Sequence, residues 1–135
     1  MKSLVVQERG CDASRLEALL TVCGPCVIAP DGDAAIREFR GALREGEPFD
    51  FLCLDLLQAG SGWREVARAI RDEEGRYPLL GSQARVLVTT VLKDDHRTLA
   101  CLREQCDACM IKPVEPRALF ACIARLGLLE EAWNT

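Results

Sequence analysis

A chain of 135 residues, 49% of them apolar and with a net charge of −4, is long enough for one domain with its own hydrophobic core and too apolar for a disordered chain. The acidic balance, with a pI near 5.1, excludes the basic stripe of a nucleic-acid surface. No apolar run approaches the roughly 18 residues of a membrane span, and the N-terminal apolar block, Leu4 to Val6, is too short for a signal peptide; the chain reads as cytoplasmic.

In chain order, "SLVVQ" is a β-branched run that predicts a buried strand. "DASRLEALLTV" follows with Ala13, Leu16, Leu19 and Leu20 at helical spacing, and Ser14 and Glu17 are spaced for a capping box near its start. "PCVIAP" predicts a second strand closed by the turn pair Asp31-Gly32. "DAAIREFRGAL" places Ala35, Ile36, Phe39 and Leu43 on one helical face. "FDFLCLDL" is the strongest strand signal, and "WREVARAIR" after it is helical again.

"RDEEGRYPLLGSQ" is polar and broken by Gly75, Pro78 and Gly81, which predicts a connection. "ARVLVTT" is a fourth strand, "DHRTLACLREQC" a fourth helix and "CMIKP" a short fifth strand. "PRALFACIARLGLL" is the last helix, with Pro116 near its first position, where a missing N–H costs nothing. Five strands alternating with five helices predict an α/β fold of right-handed β-α-β units around one doubly wound parallel sheet. Nothing in the pattern marks a repeat or a second domain.

Eight cysteines raise a redox or metal question. Cys53 and Cys122 stand where core residues belong, and free cysteine packs as a small hydrophobe. Cys23-Gly24-Pro25-Cys26 matches the active-site tetrapeptide of thioredoxins. That chemistry needs a helix starting at the first cysteine, so that the dipole lowers its pKa. Here Val27, Ile28 and the Asp31-Gly32 pair follow, and Gly24-Pro25 reads as a turn into the second strand. A thiol oxidoreductase using Cys23 and Cys26 is therefore the distant alternative. Cys106 and Cys109 form a second pair, but the fold separates it from the first across the sheet, too far to share a zinc ion.

Ligands bind at the carboxyl ends of strands in an open parallel sheet. Those ends bring together Gln7 and Glu8, Asp55, Thr90 and Lys112. Carboxylates with a hard cation, an ammonium and a hydroxyl suit a phosphoryl group, with Asp55 as the nucleophile. His96 and the acids Asp94 and Asp95 read as solvated charges opening the fourth helix.

Taken with their order and spacing, "LVVQE", "PFDFLCLDLLQAGSGWREVARAIR" and "ARVLVTTVLKDDHRTLACLREQCDACMIKPVEPRALFACIARL" resemble the receiver domain of two-component response regulators. The resemblance runs from Ser3 to about Leu129 and implies one receiver domain over 1–135, with a flavodoxin-like five-stranded sheet in order 2-1-3-4-5. It implies a signalling domain rather than an enzyme, one that catalyses at most its own phosphotransfer in a phosphorelay. Asp55 would be the phosphoacceptor, forming an aspartyl phosphate, with Thr90 the switch hydroxyl and Lys112 the phosphate-binding lysine. Mg2+ would be held by Glu8, Asp55 and the Leu57 carbonyl, and more weakly, through a water, by Gln7. Lys112-Pro113 would be a cis peptide.

The implied partners are a histidine kinase or phosphotransfer protein. A second copy would bind through the fourth helix, fifth strand and fifth helix, a face whose candidates are Leu99, Leu102, Met110, Leu119 and Ile123. Trp63 is expected to pack near the loop after Asp55, as a reporter. The chain departs from the family pattern at Gln7, where the first acid is an amide, at Val91, where a small residue is usual, and at Cys109, in place of an aromatic. Leu57 and Leu92, two residues beyond Asp55 and Thr90, are apolar. These departures keep a second reading open, a phosphorylation-independent pseudo-receiver that works as an interaction module. The sequence after the last helix, "EEAWNT", leaves no room for an output domain within this chain.

Overall fold

Short β-branched and leucine-rich runs build the centre of the molecule. In the computed structural model, which describes residues 1–8, 10–55, 62–80, 83–90 and 106–128, they form β1 (Ser3–Val6), β2 (Cys26–Ala29), β3 (Phe51–Asp55), β4 (Arg85–Thr90) and β5 (Ala108–Ile111). All neighbours pair in parallel, in the order β2-β1-β3-β4-β5, as the sequence pattern and the resemblance predicted. Four α-helices lie among the described residues: α1 (Cys11–Thr21), α2 (Gly32–Arg44), α3 (Trp63–Gly75) and α4 (Pro116–Arg125). Residues 95–105 of the helix expected over 95–106 lie outside them.

Alternation along each strand sends successive side chains to opposite faces of the sheet. Leu4, Val6, Leu52, Leu54, Val86 and Val88 pack in one core. Phe39 and Leu43 of α2 and Val66 and Ile70 of α3 cover that side. Val5, Phe51, Cys53 and Leu87 pack in the other, beneath Leu16 and Leu20 of α1 and Leu119 and Ile123 of α4. Each large apolar side chain so buried contributes about 1.5–3 kcal/mol, and burial on both faces explains why the strands read as nearly continuous apolar runs.

Three local expectations are corrected. Helix α1 begins at Cys11 after Gly10, with no side-chain cap. Ser14 is already inside it, its N–H bonded to the Gly10 carbonyl at 2.9 Å, so the Ser14/Glu17 capping box does not form. Asp31-Gly32 is a helix start rather than a strand-closing turn, because the Asp31 carboxylate accepts from the Ala34 N–H at 2.8 Å and caps α2.

The polar stretch after Arg71 is also helical, to Gly75, with a short 3-10 turn at Pro78–Leu80. Its two glutamates have tertiary partners. Glu73 is buried, with Arg40 at 3.0 Å and Arg76 at 3.7 Å. Glu74 accepts from the Ala84 N–H at 2.7 Å and from Arg71 at 2.8 Å. Arg71 also donates to the Ala84 carbonyl at 2.8 Å, tying α3 to the start of β4.

Candidate functional site

Strand register places the site. Val6 pairs with Leu54, so Gln7 and Asp55 follow side by side at the ends of β1 and β3. Asp55 pairs with Thr89 and Thr89 with Met110. Alternation from Val5, Cys53, Leu87 and Met110, all in the core beneath α1 and α4, puts Gln7, Asp55 and Thr89 on that same face. Lys112 follows Ile111 at the end of β5, and its N–H donates to the Thr90 carbonyl at 2.8 Å.

The Lys112 ammonium donates to Asp55 Oδ2, forming an ion pair across the sheet end. Asp55 is only 5% exposed, so its charge is shielded from water and depends on that ammonium and its other polar neighbours for stabilisation. Thr90 is fully buried at the end of β4. Glu8 is exposed just past β1. The Lys112–Pro113 bond is cis. The structure thus brings Gln7, Asp55, Thr90 and Lys112 to one sheet edge, with Glu8 beside them; Leu57, Val91 and Leu92 lie outside the described residues, as does the Trp63 side chain.

Among the described residues, two polar atoms here are buried without a hydrogen-bond partner, Gln7 Oε1 and Thr89 Oγ1. An unsatisfied buried group of this kind costs about 1–3 kcal/mol. Thr89 was absent from the sequence-derived site, which took only the Thr90 position. Counting alternate positions along β4 from the register with Asp55 is the signal that finds it.

Cys53, two residues before Asp55, is fully buried, and its thiol is pushed up to about 12, first by loss of water and then by the Asp55 charge. The Cys23–Cys26 stretch is the turn it was read to be. Cys26 opens β2, and Gly24 has φ 147°, where an added Cβ would lie 2.0 Å from the Met1 carbonyl oxygen. Burial raises both thiols rather than lowering them, the reverse of what a dithiol nucleophile needs. The Cys106/Cys109 pair sits at β5, on the edge of the sheet opposite β2, and among the described residues no cluster of three metal-ligating side chains forms. Cys53 and Cys122 are core residues, as expected.

On the expected pairing face, Leu119 and Ile123 are fully buried and Met110 is half-buried. The two leucines Leu99 and Leu102 lie outside the described residues. Leu119 and Ile123 therefore belong to the core and not to a surface, because α4 turns its apolar stripe onto the sheet. No helix of the described residues is long and apolar enough to cross a membrane.

No family model and no curated protein sequence matches the chain. Solved structures do. A two-component response regulator from Clostridium difficile is similar at a TM-score of 0.70 and 18% identity, over 93% of this chain and 94% of that one. The chemotaxis protein CheY4 of Vibrio cholerae is similar at 0.69 and 20%, over 92% and 96%. The BeF3-activated N-terminal receiver domain of Klebsiella pneumoniae RstA is similar at 0.68 and 22%, over 96% and 100%. At these identities the likeness is one of fold, and the fold is that of response-regulator receiver domains.

Proposed function

We propose that this chain, which has the receiver fold, works in two-component signal transduction by accepting a phosphoryl group on Asp55. The observation that carries the reading is the Lys112–Asp55 ion pair at the carboxyl end of a parallel sheet, where the Lys112 N–H also meets the backbone carbonyl of Thr90 on the neighbouring strand. An Asp55 carboxylate oxygen attacks phosphorus in a phosphohistidine of a histidine kinase or phosphotransfer protein. The P–N bond breaks, the imidazole leaves with its electron pair and takes up a proton, and an aspartyl phosphate remains.

Lys112 then moves its ammonium from Asp55 to a phosphoryl oxygen, where Thr90 donates its hydroxyl. The oxygen-rich donor set suits a hard cation, and the orphaned Gln7 Oε1 suits a metal-bound water that needs an acceptor. Glu8, Asp55 and the Leu57 carbonyl would hold Mg2+ directly, with Gln7 acting through that water. Bound there, Mg2+ would supply positive charge to the phosphoryl oxygens.

Repositioning of Thr90 and Lys112 would alter the surface around β5 and α4, where a partner or a second copy docks. A pseudo-receiver is the second reading, favoured by the neutral amide at Gln7, which removes one charge from the metal side of the site. Incubation of the reduced protein with Mg2+ and acetyl phosphate separates the two. Intact mass is expected to show one added phosphoryl group in the wild type and none in Asp55→Asn. Failure of the wild type to gain mass at any Mg2+ concentration would establish the pseudo-receiver.

A further inference from the structure

Between α1 and the 112–114 segment lies a cleft of about 300 Å³ that shares Gln7 and Lys112 with the phosphoryl site and is otherwise separate from it. Its walls are apolar, from Leu16 and Leu19 on α1 and Val114 opposite. Asp12 and Arg15, one helical turn apart on α1, stand exposed at its rim. Among the described residues neither has an ion-pair partner, and they do not pair with each other. Gln7 lines its inner end, 6% exposed, with its amide oxygen buried and unpaired.

These groups specify a ligand. A lone guanidinium presents paired donors that fit a carboxylate. A lone carboxylate and an unsatisfied amide oxygen both ask for a donor, and an ammonium supplies several. The apolar walls ask for a hydrocarbon body, and the volume lies at the small end of the roughly 300–1,000 Å³ of small-molecule sites. We propose that this cleft binds a free α-amino acid with an apolar side chain, its carboxylate on Arg15, its ammonium between Asp12 and the Gln7 amide oxygen, and its side chain against Leu16, Leu19 and Val114. The Gln7 oxygen is buried, so this contact requires the amide to turn toward the cleft. Lys112 borders the same cleft, so the ligand sits beside the residue that holds Asp55.

The test is a titration of the full chain with L-leucine and L-phenylalanine in reductant and EDTA, followed by calorimetry and by amide NMR shifts. Saturable one-to-one binding is expected, with shifts concentrated at Gln7, Leu16 and Val114. Removing one charge-assisted contact in Arg15→Ala should weaken binding about tenfold. Hexanoate and isobutylamine, each carrying one of the two charges, should bind more weakly than the amino acids. Leu19→Trp, which fills the cleft from a half-buried position, should abolish binding with an unchanged far-UV spectrum.

No saturable binding, binding unchanged in Arg15→Ala or Leu19→Trp, or shifts confined to another surface would overturn the proposal. The measurement needs neither metal nor phosphodonor. It therefore succeeds or fails independently of the phosphoacceptor reading.

Discussion

Thr89 and Lys112 show two opposite ways in which a polar group is carried at the end of this sheet. Lys112 meets the Asp55 carboxylate, while the neighbouring Thr89 hydroxyl is fully buried and has no partner. Removing a group that gains nothing in the fold costs nothing in the fold, provided its shape is kept. Thr89→Val is therefore expected to stabilise the protein by about 1–3 kcal/mol, read as a higher urea midpoint at unchanged slope. An unchanged or lower midpoint would mean that the hydroxyl has a role, with the phosphoryl group proposed for Asp55, its register partner, as the first candidate. Asp55, Thr90 and Lys112 are legible in the sequence because they close expected strands of a parallel sheet, and the resemblance assigns roles to the same positions. Sequence reading passed over Thr89 because a threonine in a β-branched run is indistinguishable from an ordinary strand former.

The elements were legible in proportion to how local their causes are. β3 follows from "FLCLD" alone, and the N-terminal Pro116 of α4 from backbone chemistry. The end of α3 was hidden, because Asp72, Glu73 and Glu74 read as a solvated connection until Arg40 and Ala84 are known to meet the two glutamates. The start of α1 was hidden for a different reason: a helix preceded by glycine leaves no side-chain capping signature. The tie between α3 and β4 can be tested as an element. Glu74→Ala leaves the Ala84 N–H without its acceptor and Arg71 without its i+3 partner, and should cost roughly 1–3 kcal/mol. Amide exchange should quicken first at Ala84 and Arg85, before the rest of β4.

For the whole molecule, the thiols set an upper pH limit. Burial holds Cys53 protonated to about 12 and Cys106 to about 11, above their ordinary value of 9.0. The folded chain therefore keeps protons that the unfolded chain releases above pH 9, and stability must fall as pH rises through that window. The contribution is fully present below pH 9 and lost as pH passes the folded values. Urea midpoints measured from pH 8 to 11 should decline, and Cys53→Ala, though less stable throughout, should decline less steeply. The same burial predicts that iodoacetamide at pH 8 modifies the exposed Cys11 and leaves Cys53 unmodified in the native state.

Lys112 is anchored at both ends: its backbone N–H holds the β4 carbonyl of Thr90, and its ammonium holds Asp55 on β3. The outermost strand β5 is thus moored to the middle of the sheet by one side chain that crosses over β4. Any event that changes the charge on Asp55 changes the pull on that mooring, so information written at the centre is read at the rim. Hydrogen exchange would register it: Asp55→Asn, which keeps the shape and removes the charge, should speed exchange at Ile111 and Lys112 while β1 and β2 stay as slow as before.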